Sequence, residues 1–150
     1  MTPIQAFRRT IAYAEGTDKP GQFTRNKGYD VIVGGQTFTD YSKHPGIYVE
    51  LPRLGITSSA AGRYQILERY AKHYMSQLGL PDFSPKSQDA ICDQLIRECG
   101  AMSDVLRGNI ETALIKCNSR WASLPGAKYG QRTENMKKLL EVYADALAQE

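Results

Sequence analysis

The chain has 150 residues, of which 41% are hydrophobic and 23% are charged, values typical of one globular domain large enough to bury a core. The formal net charge is only +3 and no block rich in Lys or Arg occurs, which argues against nucleic-acid binding. No apolar run approaches the roughly 20 residues of a membrane-spanning helix, so we expect no membrane insertion.

The residues that most often bind metals are few and scattered. Cys92, Cys99 and Cys117 make an odd number of cysteines, and His44 and His73 are too far apart in sequence to indicate a zinc site. We therefore expect no metal, no cofactor and no disulfide framework.

The first predicted element is a helix at the start of the chain. Thr2 is suited to capping it, Pro3 suits its first turn, and Gly16 is a typical C-terminal stop. Apolar residues recur at helical spacing between these signals and predict one buried face. They are Ile4, Phe7, Ile11 and Ala14.

Residues 17–57 lose this periodicity and are rich in Gly, Thr, Asp and Pro. Residues 29–33 and 36–39 flank a Gly-Gly pair, and this pattern predicts a β-hairpin. Residues 47–51 indicate either a third short strand or an extended loop. This part of the chain is therefore expected to form a small β-rich lobe.

The remainder of the chain is predicted to be mainly helical, because apolar residues return to helical spacing and Gly79 and Gly100 end two of the segments. One loop, rich in Pro and Gly, interrupts it at residues 123–131. The predicted helices are Ala61 to Leu78, Ser84-Pro85 to about Cys99, Ile110 to Cys117 capped by Asn109, and a last helix from Thr133-Glu134.

Strands segregated from helices define the α+β class. We expect a single domain over residues 1–150, with a β-rich lobe at about 17–57 and a helical lobe formed by about 1–16 and 58–150. Such a layout predicts a cleft between two lobes, where ligands commonly bind.

Glu15 is the most informative single residue. It follows Ile11 by four positions, so its carboxyl group is expected on the buried face of the first helix, in the last turn. Burial and the negative end of the helix dipole both disfavour the ionised form, so we expect a raised pKa. A carboxyl group that stays protonated near neutral pH can donate a proton to a glycosidic oxygen.

Several blocks of the sequence resemble the lambda-type family of phage lysozymes and lytic transglycosylases. The blocks occur in order over about residues 10–131, and multi-residue matches in register over that length are a specific signal. They are Ala14–Asp18, Thr24–Gly35, Phe38–Ser42 with His44-Pro45, Ala61–Gln65, Asp82–Ala90, Trp121–Ala127 and Tyr129–Gln131.

The resemblance implies a lysozyme-like fold and cleavage of the bond between N-acetylmuramic acid and N-acetylglucosamine in peptidoglycan by lytic transglycosylation. It implies that Glu15 is the catalytic acid and that loops near 47–56 and 124–137 form lips over the sugar-binding cleft. A hydrolytic muramidase acting on the same bond and a non-catalytic wall-binding module are the alternatives.

The resemblance also bears on partners and location. Residues 1–5 lack the basic-then-apolar layout of a secretory signal, so we expect synthesis in the host cytoplasm. Action on the periplasmic cell wall then requires release by a separate phage holin, which need not contact this chain. We expect a monomer whose partner is the glycan strand.

Hydrolytic glycosidases usually need a second carboxylate beside the acid. Asp18 and Asp40 lie in predicted turns, where they suit local hydrogen bonding. Asp30 lies in the predicted hairpin and either contacts sugar or supports the cleft wall. None of the three is a convincing second acid, which favours transglycosylation.

Six further residues are candidates for binding sugar. Tyr64 and Gln65 lie in a block that also resembles the Gly-x-x-Gln element of lytic transglycosylases, although helical spacing alone predicts that Tyr64 is a core residue. Ser58 either caps the helix predicted to follow it or contacts sugar, and the same alternatives apply to Ser59. Tyr129 and Gln131 lie in the Pro/Gly loop, where exposed polar and aromatic side chains often bind ligands.

Overall fold

Six helices and one two-stranded antiparallel sheet occur in the part of the chain that the computed structural model describes, residues 1–126 and 134–149. This mixture confirms the predicted α+β class. The elements in chain order are α1 (Pro3–Ala14), β1 (Val49–Leu51), β2 (Ile56–Ser58), α2 (Glu68–Leu78), α3 (Pro85–Glu98), α4 (Met102–Arg107), α5 (Ile110–Cys117) and α6 (Met136–Leu147).

Helix α1 begins and ends as the sequence predicts. The Thr2 side chain accepts a hydrogen bond from the Gln5 backbone N–H, and the Gln5 side chain accepts one from the Thr2 N–H, so two otherwise unpaired donors are satisfied. Phe7 and Ile11 are fully buried. Glu15 is the C-cap, and the backbone turns into the left-handed region at Gly16.

Two compact units make up the chain, one of Met1–Glu15 with Asp93–Glu150 and one of Gly16–Cys92. In the first unit, α1 packs against α6 and α4, and α5 packs against α4 and α6. Residues near the two ends of this unit are in contact, since the Met1 amino group donates to the Gln149 carbonyl oxygen. Arg9 Nη1 also donates to Gln149 Oε1 at 2.8 Å.

The later helices agree with prediction at α3 and α5, with two differences elsewhere. The six-residue helix α4 was not predicted, because so short a segment carries little periodicity. The last helix begins at Met136 rather than at Thr133-Glu134, since the Asn135 side chain accepts a hydrogen bond from the Lys137 N–H at 2.8 Å and fixes the cap there.

In the second unit the sheet lies further along the chain than predicted. Strands β1 and β2 pair Val49 with Ser58 and Leu51 with Ile56. This confirms the strand alternative for residues 47–51, whereas β2 was not predicted. The intervening turn is closed by a hydrogen bond from the Gly55 N–H to the Pro52 carbonyl oxygen.

The predicted hairpin at 29–39 is wrong as a pair of strands. Only one bridge, between Val31 and Thr37, forms between its two arms. The first arm divides its backbone hydrogen bonds between two partners, because the Val33 N–H donates to Ala60 and the Val31 carbonyl accepts from Gly62. The two arms therefore do not form a regular ladder of backbone hydrogen bonds.

The helix predicted from Ala61 begins only at Glu68. Ala61 and Ile66 exchange a pair of backbone hydrogen bonds at 2.9 and 3.1 Å and close a tight turn. Inside this turn Gly62 (φ 85°) and Gln65 (φ 54°) adopt left-handed backbone conformations that no α-helix accommodates. The apolar residues at helical spacing therefore predicted a helix where the chain forms a turn.

The boundaries of the units also differ from the expected lobes. Residues 58–92 group with the loops of residues 16–57 rather than with the helical remainder. Specific contacts within this unit explain the grouping, since the Phe83 N–H donates to the Tyr41 carbonyl and Gln88 Nε2 donates to the Tyr29 carbonyl at 3.1 Å.

Within the described residues, no helix is both long enough and apolar enough to cross a membrane.

Candidate active site

Glu15 combines partial burial with a titration suited to proton transfer. Its backbone N–H donates to the Ile11 carbonyl at 2.8 Å, which fixes the residue at the end of α1. The residue retains some exposure, yet desolvation raises the pKa of its carboxyl group to about 7, while the neighbouring Ser123 side chain lowers it. This agrees with the raised pKa expected from the sequence, with burial as the main cause.

Ser123 is a residue that the sequence reasoning did not single out. Its Oγ is buried and has no hydrogen-bond partner among the described residues, although it lies close enough to Glu15 to influence that carboxyl group. The residue belongs to a turn in which the Leu124 N–H donates to the Trp121 carbonyl at 3.0 Å. The only signal for it was membership of the Trp121–Ala127 block.

Tyr64 lies where helical spacing alone had placed it, in the core. It is 1% exposed, and its hydroxyl donates to Asp89 Oδ1 at 2.6 Å. The Tyr29 hydroxyl donates to the same oxygen at 2.8 Å. The Arg63 guanidinium lies 5.3 Å from the Tyr29 ring centroid and pairs with Asp18 at 2.8 Å. These contacts give Tyr64 a structural environment in its unit.

Gln65 keeps features of a ligand-binding residue. Its half-buried side chain donates through Nε2 to the carbonyl oxygens of Gly62 at 2.9 Å and Val31 at 3.2 Å. Its Oε1 makes no hydrogen bond within the described residues, so this oxygen remains able to accept one. A left-handed backbone at a residue other than Gly is uncommon and often accompanies function.

The turn that carries Gln65 is attached to the chain just beyond the acid. Thr17, two residues after Glu15, donates from Oγ1 to the Arg63 carbonyl at 2.6 Å. Thr17 also lies against Gly28, where an added Cβ would approach the Thr17 backbone to 2.8 Å. The segment that follows the acid is therefore held firmly within the second unit.

The other carboxylates are occupied by local contacts. Asp30 is 2% exposed, and its two oxygens accept hydrogen bonds from the Thr24 hydroxyl and the Arg25 N–H. Asp18 pairs with Arg63, whereas the exposed Asp40 is hydrogen-bonded to Ser42, which lowers the pKa of its carboxyl group. These contacts favour the supporting role for Asp30 and turn roles for Asp18 and Asp40.

The two serines near β2 differ in their contacts. Ser58 Oγ accepts from the Ala60 N–H at 3.2 Å and caps no helix. Ser59 Oγ accepts from the Glu68 N–H at 3.0 Å, so it caps α2 from nine residues away. The capping alternative therefore holds for Ser59 and is wrong for Ser58.

Tyr129 and Gln131, the two candidates in the Pro/Gly loop, lie outside the described residues. Within the described part of the chain, no group of three or more His, Cys, Asp or Glu side chains is arranged to hold a metal ion.

Solved structures match this fold closely. Bacteriophage lambda lysozyme complexed with a chitohexasaccharide gives a TM-score of 0.93 at 50% identity, over 96% of this chain and 93% of that chain. A second structure, lysozyme from bacteriophage lambda, gives 0.88 over the same shares. The fold, together with a half-buried acid of raised pKa, is that of the lysozyme-like enzymes that cleave peptidoglycan.

Sequence comparisons identify the family within that class. Residues 5–149 match the Endolysin family, and the chain belongs to it. The endolysin of Escherichia phage lambda is 52% identical over 95% of this chain and 89% of its own length. The endolysin of Escherichia phage P2 is 48% identical over 95% of this chain and 92% of its own length.

Proposed function

We propose that this endolysin is a lytic transglycosylase that cleaves the bond between N-acetylmuramic acid and N-acetylglucosamine, with Glu15 as its acid and then its base. The observation that carries the proposal is the pKa of about 7 at Glu15, on a residue that retains some exposure. Near neutral pH such a group is present in both protonation states, so it is able to perform both proton transfers.

In the first transfer, protonated Glu15 donates its proton to the glycosidic oxygen, and the bond from that oxygen to C1 of the muramic acid breaks. The N-acetylglucosamine leaves with a hydroxyl group. The same carboxylate then accepts the proton of the muramic C6 hydroxyl, whose oxygen bonds to C1 of the same ring. The product is a 1,6-anhydro sugar, and no water is consumed.

The contacts of the three candidate second acids support transglycosylation over hydrolysis. Asp18, Asp30 and Asp40 are each engaged in hydrogen bonds or an ion pair. Intramolecular attack has a high effective molarity, so the reaction does not need a carboxylate to activate water.

We propose Gln65 as the principal sugar-binding residue of the second unit, because its Oε1 accepts no hydrogen bond from the described residues and suits an acetamido or hydroxyl donor. Ser58, Tyr129 and Gln131 complete the proposed contacts. Asp30 and Tyr64 act indirectly, by fixing the loops on which the contacting residues lie. That lambda lysozyme has been solved with a chitohexasaccharide supports a glycan ligand for this site.

We propose the following cellular setting for this activity. The chain is synthesised in the host cytoplasm and acts as a monomer on the periplasmic cell wall after a separate phage holin permits its release. Its partner is the peptidoglycan glycan strand.

Mass spectrometry of the muropeptides released from purified peptidoglycan tests the chemistry. We expect products that end in 1,6-anhydro-muramic acid, and products heavier by one water would establish a muramidase instead. The Glu15→Gln variant should keep its fold and glycan binding while losing lysis, with Glu141→Gln, on the exposed side of α6, as the matched control. Full lysis by Glu15→Gln would refute the role of the acid.

A further inference from the structure

A buried hydroxyl group without a partner is unusual, because leaving a polar atom unpaired away from water is costly. Ser123 Oγ is the one buried side-chain N or O atom among the described residues in this condition. Ser123 as a whole is 7% exposed. A buried polar atom without a hydrogen-bond partner requires an explanation, and a functional role is one.

The backbone around Ser123 holds this hydroxyl in place. Trp121 and Leu124, on either side, are 1% and 0% exposed, and a backbone hydrogen bond of 3.0 Å joins them. The Ser123 carbonyl accepts a hydrogen bond of 2.8 Å from the Glu134 N–H. The turn is thus anchored by its neighbours, whereas the hydroxyl itself contributes no bond to it.

The Glu15 carboxyl lies in the same unit and close enough to this hydroxyl to be influenced by it. The Ser123 side chain is the one influence that favours the ionised form of Glu15 against desolvation, and no charged side chain among the described residues contributes. When Glu15 has given up its proton, Ser123 is therefore the neutral donor that the described residues place beside its carboxylate.

We propose that Ser123 is a positioning residue for Glu15, whose hydroxyl donates a hydrogen bond to the carboxylate formed after the first proton transfer. The bond orients the carboxylate and stabilises it for the second transfer. The inference deepens the proposed function and rests on the catalytic role given there to Glu15. In the structure the hydroxyl has no hydrogen-bond partner among the described residues and is therefore available to donate to the carboxylate.

Replacing Ser123 with Ala separates this role from a structural one. Because Oγ makes no bond in the described fold, Ser123→Ala should leave the free energy of unfolding almost unchanged. Losing a donor to the carboxylate should raise the pKa of Glu15 by about one unit, the size of a hydrogen bond to a charged group. Ser123→Thr retains the hydroxyl and should restore the wild-type titration.

The experiment is a ¹³C NMR titration of the labelled Glu15 carboxyl in the wild type, Ser123→Ala and Ser123→Thr, without substrate, together with the pH profile of lysis. Ser103→Ala, which removes an exposed serine hydroxyl from α4, is the control. We expect the Glu15 titration and the alkaline limb of lysis to move upward together in Ser123→Ala alone.

An unchanged Glu15 titration in Ser123→Ala, or an equal shift in Ser103→Ala, would overturn the proposal. If the Glu15 titration shifts in Ser123→Ala but the pH profile of lysis does not, the proposed function fails and the contact between Ser123 and Glu15 does not. That result would confirm the contact between the two residues and refute Glu15 as the group that limits catalysis.

Discussion

The Tyr64 hydroxyl donates a hydrogen bond of 2.6 Å to Asp89 Oδ1. The same oxygen accepts from Tyr29 at 2.8 Å, so one carboxylate holds two aromatic side chains. Their rings meet edge to face at a centroid distance of 6.3 Å. Burial, with Asp89 as a further cause, raises the pKa of Tyr29 to about 12, and burial raises that of Tyr64 well above its usual value.

Replacing Asp89 with Ala should therefore destabilise the protein by about 2–4 kcal/mol, because two partly buried hydroxyl groups lose their acceptor. Urea unfolding monitored by circular dichroism measures the change. Tyr64→Phe, which removes one of the two bonds and leaves the other intact, should cost less. Equal losses in the two variants would show that Asp89 is not shared in this way.

The stability of the protein should depend on the protonation of Glu15. Its pKa rises from 4.5 to about 7 on folding, so between these values the folded state binds more protons than the unfolded state. The contribution of this group is fully present below pH 4.5 and is lost as the pH rises through about 7. The total loss is up to ~3 kcal/mol.

The Glu15→Gln variant cannot undergo this ionisation. Above neutral pH it should be more stable than the wild type by up to ~3 kcal/mol, and the difference should vanish in acid. Thermal unfolding over a pH series measures it, with Glu141→Gln as background. A difference that did not vary with pH would show that Glu15 titrates normally.

Two glycines with similar backbone angles test the close contact that follows the acid. Gly28 (φ 88°) and Gly21 (φ 95°) both adopt the left-handed region. An added Cβ meets the Thr17 backbone at 2.8 Å at Gly28 and nothing within 4 Å at Gly21. Gly21→Ala should cost about 1–2 kcal/mol from backbone strain alone, and Gly28→Ala about 1–3 kcal/mol more.

Denaturant unfolding of the two alanine variants gives both values. Because the backbone penalty is common to them, the difference isolates the clash with Thr17. Similar losses for the two variants would mean that the Thr17 segment yields freely. That outcome would show that the contact between Gly28 and Thr17 does not hold the segment after Glu15 rigidly.

Cys99 should be the most reactive of the three cysteines. Its hydrogen bond with Cys117 is the main cause that lowers the pKa of its thiol to about 7, and the residue is half-buried, whereas Cys92 and Cys117 are fully buried. Alkylation by iodoacetamide, followed by peptide mass spectrometry, should modify Cys99 first, with a rate midpoint near that pH. Cys117→Ala should raise the pH at this midpoint. An unchanged midpoint would show that the hydrogen bond with Cys117 is not the cause of the lowered pKa of Cys99.

Sequence reasoning predicted the elements whose signals are local. Helix α1 carries its cap, its proline and its stop within residues 2–16, and its bounds were correct. The raised pKa of Glu15 followed from its place on the apolar face of that helix. Both inferences depend on neighbours within four positions along the chain.

Features set by distant partners were not predictable in the same way. The arm at residues 31–33 exchanges hydrogen bonds with residues 60–62, which no alternating pattern in the hairpin announces. Gln65 adopts a left-handed conformation although Gln has no intrinsic preference for it, because the turn closed by Ala61 and Ile66 imposes it. Ser123 approaches Glu15 across more than a hundred residues of sequence.

The pairing of residues 1 and 149 has a practical consequence for engineering. A peptide linker of a few residues would join residues 1 and 149 into a ring, because they are already in contact. Ring closure restricts the unfolded chain, which favours the native state entropically. New ends could then be opened in the exposed turn at residues 52–55, and the ring would keep α1 and α6 paired while the covalent order of the chain changed.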